Sequence, residues 1–300
     1  MPDVIEKISR STIQHGPHNR RVYLMKLHDQ DVLRILPAID RLARENHYEK
    51  ILAKVPSENK SAFEMQGYVQ EAVIPEYFKN REDAVFMCKY FSSSRKPITE
   101  HQKIQNTLAL AKRQKQRPAA EKPAPSLDTR ICRQEDAGEM SRVFKAVFKT
   151  YPFPIFDADY LAGIMKKNQA RYFCIQKDGR IVAVAASEID SDHRGVEMTD
   201  FATLPEYRGQ RFAGCLLEDM ERSMAGQGMK TAFSIARALS PAMNILFARK
   251  GYAFGGTLGN NTNISGRIES MNVWYKRLYL ETLFKSESPR CLQRGVTSSR

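Results

Sequence analysis

The sequence predicts an α/β protein of two domains, each a mixed, largely antiparallel sheet flanked by helices. Three observations lead there. Segments with apolar residues at helical spacing are interleaved with segments whose apolar residues alternate. A proline-rich run, 117–125, interrupts the series and reads as linker, because proline removes backbone donors. The segments on either side of it follow a similar order of elements.

Before the run, Val22 to Leu27 alternates as a strand, and Asp29 to Asn46 carries Val32, Ile35, Leu36, Ile39 and Leu42 as a helix face. Lys50 to Val55 is strand-like. Ser57 caps a short helix reaching Gln66, and strands follow near Tyr68–Ile74 and Ala84–Phe91. After the run, Glu135 to Lys149 is amphipathic. Arg171–Gln176 and Ile181–Ile189 flank Asp178-Gly179, a hairpin turn whose central residues take positive φ. Val196 to Thr203 is a strand, and a helix begins near Gln210 with Phe212, Leu216, Leu217, Met220 and Met224 inward. Thr231–Arg237 is a strand, Ser240-Pro241 opens another helix, and strands near Tyr252–Leu258 and Ser270–Leu278 close the series.

Phe63-Glu64-Met65-Gln66-Gly67-Tyr68 parallels Phe247-Ala248-Arg249-Lys250-Gly251-Tyr252. In both, a helix ends at a glycine suited to the left-handed cap, and the second strand that follows closes near a lysine, Lys89 or Lys276. The N-terminal domain, 1–94, reads as a partial repeat of the domain at 126–285; coincidence is the plain alternative, because helix-Gly-aromatic-strand is common. Residues 95–125 read as a basic linker holding one short helix, Ile104 to Gln116, and 286–300 as a flexible tail.

The net charge of +13 admits a nucleic-acid partner, an anionic small molecule or mere solubility. Residues 95–122 hold eight basic and two acidic side chains and 286–300 hold three and one, which leaves +5 for the rest. A nucleic-acid partner is therefore not expected. With 42% hydrophobic residues the chain is globular, yet its longest apolar run, Ile181 to Ala186, is far below the roughly 20 residues of a membrane helix. The start Met1-Pro2-Asp3 has no apolar signal core, so a cytoplasmic protein is expected. Five scattered cysteines without Cys-x-x-Cys spacing, and His15 and His18 in a polar stretch, point to neither disulfides nor metal.

The chemistry concentrates in 199–213. A strand enters a turn, and the turn opens a helix whose first N–H groups lack internal acceptors and carry the positive dipole end. A pyrophosphate fits there, with Arg208 and Arg211 adding charge. An ordinary solvated Arg-Gly turn is the bland alternative. In full, the segment resembles the acetyl-CoA site of the GNAT acetyltransferase superfamily. The family pattern is Arg/Gln-x-x-Gly-x-Gly/Ala directly after Pro-x-Tyr-Arg. Pro205, Tyr207, Arg208 and Ala213 match, and Arg211 replaces the middle glycine, which is tolerable if that residue is already helical. The resemblance implies acetyl-CoA as cosubstrate. The main chain of Ala202, Thr203 and Leu204 would pair with pantetheine, and the N–H groups of Arg208, Gly209, Gln210, Arg211, Phe212 and Ala213 would hold pyrophosphate. Leu204 would also polarise the thioester, and Ser240 stands where many members have Asn.

Thr150-Tyr151-Pro152-Phe153-Pro154-Ile155, Glu197-Met198-Thr199-Asp200-Phe201-Ala202-Thr203, Asn260-Asn261-Thr262-Asn263-Ile264 and Glu269-Ser270-Met271-Asn272-Val273-Trp274 are similar to strings of the beta-lysine N-acetyltransferases. That resemblance implies acetyl transfer to the ε-amine of a small-molecule substrate, beta-lysine, a product that serves as a compatible solute, and a lysine 2,3-aminomutase as metabolic neighbour. An ammonium must lose a proton before attack, and Glu197 or Asp200 can take it. Strict alternation puts the two on opposite faces unless a bulge intervenes. Asp200 is favoured, because the polyamine acetyltransferases of the superfamily resemble it in having an acidic residue there. Pairing with a nearby lysine is the alternative for each.

Arg237 is a candidate for the substrate carboxylate, Glu269 for an ammonium, Asn261 and Asn272 for neutral hydrogen bonds, and Tyr151 and Phe153 for the pocket wall. Turn and core roles compete for all six. Phe247 stands where the superfamily's general-acid Tyr is expected, which leaves the acid open among water, Tyr207 and Tyr252. The N-terminal domain has His28-Asp29-Gln30-Asp31 after its first strand and no phosphate loop, so it is expected to cover the substrate site or form a homodimer interface. Rival readings are another acceptor (a polyamine, a diamino acid, a protein lysine) and an inactive basic binding protein.

Overall fold

The computed structural model describes residues 3–115 and 129–279; the proline-rich run 117–125 and the tail 286–300 lie outside them. The first half comprises β1 (Val4–Ile8), β2 (Ser11–Gly16), β3 (Arg21–Lys26), α1 (Val32–Glu45), β4 (Lys50–Pro56), α2 (Lys60–Glu64), β5 (Val69–Phe78) and β6 (Glu82–Tyr90). Then come α3 (His101–Lys115), β7 (Thr129–Ile131), α4 (Ala137–Val147), α5 (Ala158–Lys166), β8 (Ala170–Lys177) and β9 (Arg180–Asp190). The chain continues with β10 (Gly195–Thr203), α6 (Phe212–Gly226), β11 (Thr231–Arg237), α7 (Pro241–Arg249), β12 (Ala253–Ile264) and β13 (Arg267–Arg277). The β1–β2 hairpin, β7 and α5 are additions to the elements expected from periodicity.

The 13 strands of the described residues form one sheet, in the order β1-β2-β3-β4-β6-β5-β12-β13-β11-β10-β9-β8-β7. It is mixed and largely antiparallel: only β3/β4 and β10/β11 run parallel, each pair joined by a helical crossover, as parallel neighbours require. The order β3-β4-β6-β5 in the first half matches β10-β11-β13-β12 in the second.

The likeness extends to side chains. Tyr68 and Tyr252 each follow a left-handed glycine, Gly67 at φ 81° and Gly251 at φ 84°. Each ring stands edge-on to the preceding helix's Phe, Phe63 or Phe247, at 5.1 Å. Lys89 bonds Asp40 of α1 beneath Tyr68, and Lys276 bonds Glu221 of α6 at 2.6 Å beneath Tyr252.

The halves meet where β5 pairs with β12, at Ala72 and Gly256, which stand four residues after Tyr68 and Tyr252. A Cβ on Gly256 would lie 2.2 Å from the Glu71 carbonyl oxygen, and its φ of 144° is open in practice to glycine alone. The connection between the halves also departs from a simple linker. Arg95 is 4% exposed and donates to Glu49 Oε2 at 2.8 Å, to the Asn260 carbonyl at 2.6 Å and to the Asn19 carbonyl at 2.9 Å. Helix α3 buries Ile104, Leu108 and Ala111 in the same core as α6 and α7. Asn260 and Asn261 lie in a register shift of β12 rather than a loop.

The sheet also folds back on itself. Tyr23, Leu52, Tyr77 and Phe86 of the first half pack against Phe233, Leu258 and Val273 of the second. Tyr77 Oη donates to Asp190 at 3.1 Å, and Gln14 Nε2 donates to the Pro152 carbonyl at 2.7 Å. One half thus covers a face of the other.

Gly256→Ala is expected to lower unfolding free energy by at least about 2 kcal/mol in denaturant titrations, through strain and loss of the β5–β12 pairing. Gly67→Ala, also left-handed but with open space around it, should cost about 1 kcal/mol. Equal losses would disprove the role of the joint.

Candidate active site

Strand β10 pairs with β11 over Gly195–Glu197 and then diverges from it, which opens a cleft in the sheet. On its other side the register with β9 breaks between Thr199 and Ala202, and Asp200 takes a left-handed φ of 56°. This bulge changes which face each side chain takes. Before it, Val196 and Met198 pack with α6; after it, Ala202 packs with α4 and α5. The shift brings Asp200 to the face of Glu197, which strict alternation would have denied it.

Leu204 N–H donates to the Val182 carbonyl at 3.0 Å, so it cannot polarise a thioester as expected. Alternation turns the main chain of Thr203 the other way, toward the cleft, and its carbonyl accepts Arg208 Nε at 3.4 Å. The loop turns at Gly209, φ 82°, and at Arg211, φ 64°. Arg211 is therefore a left-handed N-cap and not a helical residue, contrary to the expectation. A side chain there costs about 1–2 kcal/mol, which is why glycine suits the position.

Helical bonding starts with Gly214 and Cys215 N–H, both directed at the Arg211 carbonyl, so Phe212 and Ala213 N–H have no acceptor within the helix. Lys177 joins the loop by donating to Gln210 Oε1 at 3.1 Å, a cation not singled out in the sequence. A shallow depression of about 210 Å³ beside the loop is lined by Arg142, Arg180, Leu204 and Tyr207. Ser240 stands at the N-cap position of α7 beyond β11 without a side-chain capping bond, and its carbonyl accepts Asn244 Nδ2 at 2.8 Å.

On the face reached through the bulge lies a group of carboxylates. Asp200 is 4% exposed and accepts Tyr151 Oη at 2.5 Å, Tyr172 Oη at 3.3 Å and Thr199 Oγ1 at 3.3 Å. Glu197 stands directly across from Glu188 on β9, and neither carboxyl has a hydrogen-bond partner among the described residues. Both keep accessible surface although they lie deep between the halves, so they border a recess. The first half roofs it. Lys54 Nζ lies 4.7 Å from the Tyr77 ring centre and 5.0 Å from that of Phe233, the residue beside Glu197 on β11.

Burial pushes the Glu188 carboxyl well above the usual range, and the charges of Glu197 and Asp200 push the same way. Glu197 is pushed up to about 7, by burial first, with Lys54 pulling down and Asp200 pushing up. Burial also raises Asp200, against the hydrogen bonds from Tyr151, Thr199 and Tyr172. Asp190 moves down instead, because His193, Lys54 and Lys26 outweigh its burial. Such a recess can bind an ammonium and hold one proton near neutral pH.

The remaining candidates divide. Tyr151 and Phe153 lie on the loop between α4 and α5, partly buried against that core. Arg237 forks onto Glu269 at 2.9 and 2.8 Å, and Arg267 adds a third contact at 3.0 Å. The two therefore satisfy each other rather than presenting two separate charges. Asn261 is buried in the seam between the halves, where its carbonyl accepts Arg21 at 2.9 Å. Asn272 faces the helix side, bonded to Asn244 at 2.8 Å and Thr257 at 2.8 Å, away from the recess. Phe247 is core, and Tyr252 sits behind it with Glu221 and Lys276, remote from the cleft. Glu188, Lys54 and Tyr77 were not singled out in the sequence. The signal was a charge inside an apolar strand: Lys54 within Lys50–Pro56, buried throughout, and Glu188 after Ile181–Ala186.

Among the described residues no group of three or more His, Cys, Asp or Glu is placed to hold a metal, and no helix is long and apolar enough to cross a membrane. The profile of the acetyltransferase (GNAT) family matches residues 138–252. The chain is 39% identical, over 92% of its length and 99% of the relative's, to the beta-lysine N(6)-acetyltransferase of Methanococcus maripaludis. It is 31% identical to the N-acetyltransferase YodP of Bacillus subtilis, over 89% of this chain and 96% of that one. An N-acetyltransferase structure from Staphylococcus aureus Mu50 aligns with 51% of this chain and 99% of its own at 16% identity and a TM-score of 0.46. The chain belongs to the acetyl-CoA-dependent GNAT acetyltransferases, in the family that includes the beta-lysine N(6)-acetyltransferases.

Proposed function

We propose that this enzyme transfers acetyl from acetyl-CoA to the ε-amine of beta-lysine by direct attack in a ternary complex. The carboxylate-lined recess that opens on the β10–β11 cleft carries this reading, because an acceptor with two ammonium groups matches its excess of negative charge. The N–H groups at the start of α6 hold the pyrophosphate, and the Thr203 main chain lines the pantetheine arm. Glu197 takes the proton from the ε-ammonium, directly or through one water. The freed amine attacks the thioester carbon, the C–S bond breaks, and the proton that the nitrogen then sheds passes through water to the departing thiolate.

Asp200 acts as a positioning residue: it fixes Tyr151 and Tyr172, and its charge adds to the burial that raises the Glu197 carboxyl. The first half serves as the cover of the acceptor site. The same reading makes the product a neutral zwitterion suited to a compatible solute in the cytoplasm, with a lysine 2,3-aminomutase supplying its substrate.

Incubation with acetyl-CoA and an amine panel should give a singly acetylated beta-lysine by mass, with α-lysine much slower; equal rates on the two would refute the specificity. Glu197→Gln should lower kcat by roughly 10²-fold or more, with the KM for acetyl-CoA little changed. An unaffected rate there, with the loss in Asp200→Asn instead, would transfer the base role to Asp200. The kcat/KM for the amine should rise with pH through about 7 as Glu197 ionises. Asp200→Asn removes a negative charge that raises Glu197, so this limb should move to lower pH; a shift upward would contradict the assignment.

A further inference from the structure

We propose that Lys54 receives the carboxylate of the acceptor, so that the first half of the chain selects a diamino acid over a plain diamine. This rests on the reading of the chain as an amine acetyltransferase. The two buried lysines of β4 are held very differently. Lys50 donates to Glu71 Oε2 at 3.0 Å, Tyr90 Oη at 3.1 Å and the Gly259 carbonyl at 2.7 Å, a full set for an ammonium. Among the described residues Lys54, 8% exposed, has one acceptor, Tyr77 Oη at 3.3 Å, and no carboxylate within 4.0 Å.

A buried ammonium with one hydrogen bond is costly unless something else meets it. Among the nearby carboxylates, Glu197 and Glu188 act on Lys54 through charge alone, with no ion pair within 4.0 Å among the described residues. Asp190 is engaged by Tyr77, His193 and Lys26 at 3.1, 3.1 and 3.4 Å, and Asp200 by its tyrosines. The faces of Tyr77 and Phe233 hold the Lys54 ammonium between them.

Its position along the recess suits an acceptor carboxylate. Tyr77 packs so closely on Gly195 that a Cβ there would lie 2.4 Å from the ring, which closes the recess at that end. The bulge at Asp200 marks the other end, about 16 Å along the strand, with Glu197 between them. An extended six-carbon diamino acid spans roughly 8 Å from carboxylate carbon to terminal nitrogen. With its carboxylate at Lys54, its far amine lies on the bulge side of the recess, past Glu197, where the cleft begins. Two ammonium groups then face the glutamates and one carboxylate faces the lysine.

The test compares beta-lysine (3,6-diaminohexanoate) with 1,4-diaminopentane, the same molecule without its carboxylate. The ratio of their kcat/KM values should fall at least about tenfold in both Lys54→Met and Lys54→Gln, the usual size of a lost charge-assisted hydrogen bond. Thermal unfolding checks that each variant is folded, and the Gln variant keeps the bond to Tyr77. A ratio within twofold of wild type, whatever the fall on each amine, would overturn the assignment. A wild type that acetylates another diamino acid in place of beta-lysine overturns only the functional reading, because the ratio of that acid to its own descarboxy amine still reports on Lys54.

Discussion

Negative charge taken out of water must be met by donors or by cations, and this constraint governs the centre of the molecule. Glu188, Glu197 and Asp200 lie on one face of the sheet beneath a second layer of strands. Asp200 meets the constraint internally, through two tyrosines and a threonine. Glu188 and Glu197 do not, and each holds its proton more tightly than a solvated carboxyl. A recess with such groups favours a ligand that brings positive charge and has a proton to lose. Binding and the first chemical step therefore draw on the same physical imbalance.

The arrangement depends on two backbone features of modest size. The bulge at Asp200 turns one carboxylate onto the face of the other two, and the separation of β10 from β11 opens the cleft beside it. The second feature is the joint at Ala72 and Gly256, equivalent positions in two halves of the same topology. With the halves in one sheet, the inner face of the first lies over the recess of the second. The first half has no phosphate loop; in the proposed reading its Lys54 and Tyr77, which lie against each other, line the acceptor site. In that reading two halves of like strand order divide the work, the second facing the cofactor and the first the acceptor.

Much of the fold was legible in sequence. The helix faces of α1, α4 and α6, the Asp178-Gly179 turn and the paired Gly-Tyr steps are local patterns, because periodicity and positive φ are set by neighbouring residues. The turn that opens α6 was legible for the same reason, although the left-handed Arg211 was not: its conformation depends on how the turn enters α6. The charge excess at 95–122 read as linker, whereas Arg95 is an internal tie and α3 is part of the core. Amphipathicity was weak there, since only one narrow face of α3 is covered.

The sequence by itself determined the order of elements, the turn that opens α6 and the presence of two acids on the strand before it, all properties of contiguous residues. Only the tertiary structure decided which acids act together. Glu188 and Glu197 become partners through strand register, Asp200 joins them through a bulge, and Lys54 comes from a strand over 130 residues away in the chain. It also paired Arg237 with Glu269 and placed Asn272 on the opposite face, because the assignment of a side chain to a face is settled by sheet packing. Charge leaves a local trace in sequence, but the company it keeps depends on contacts between distant segments.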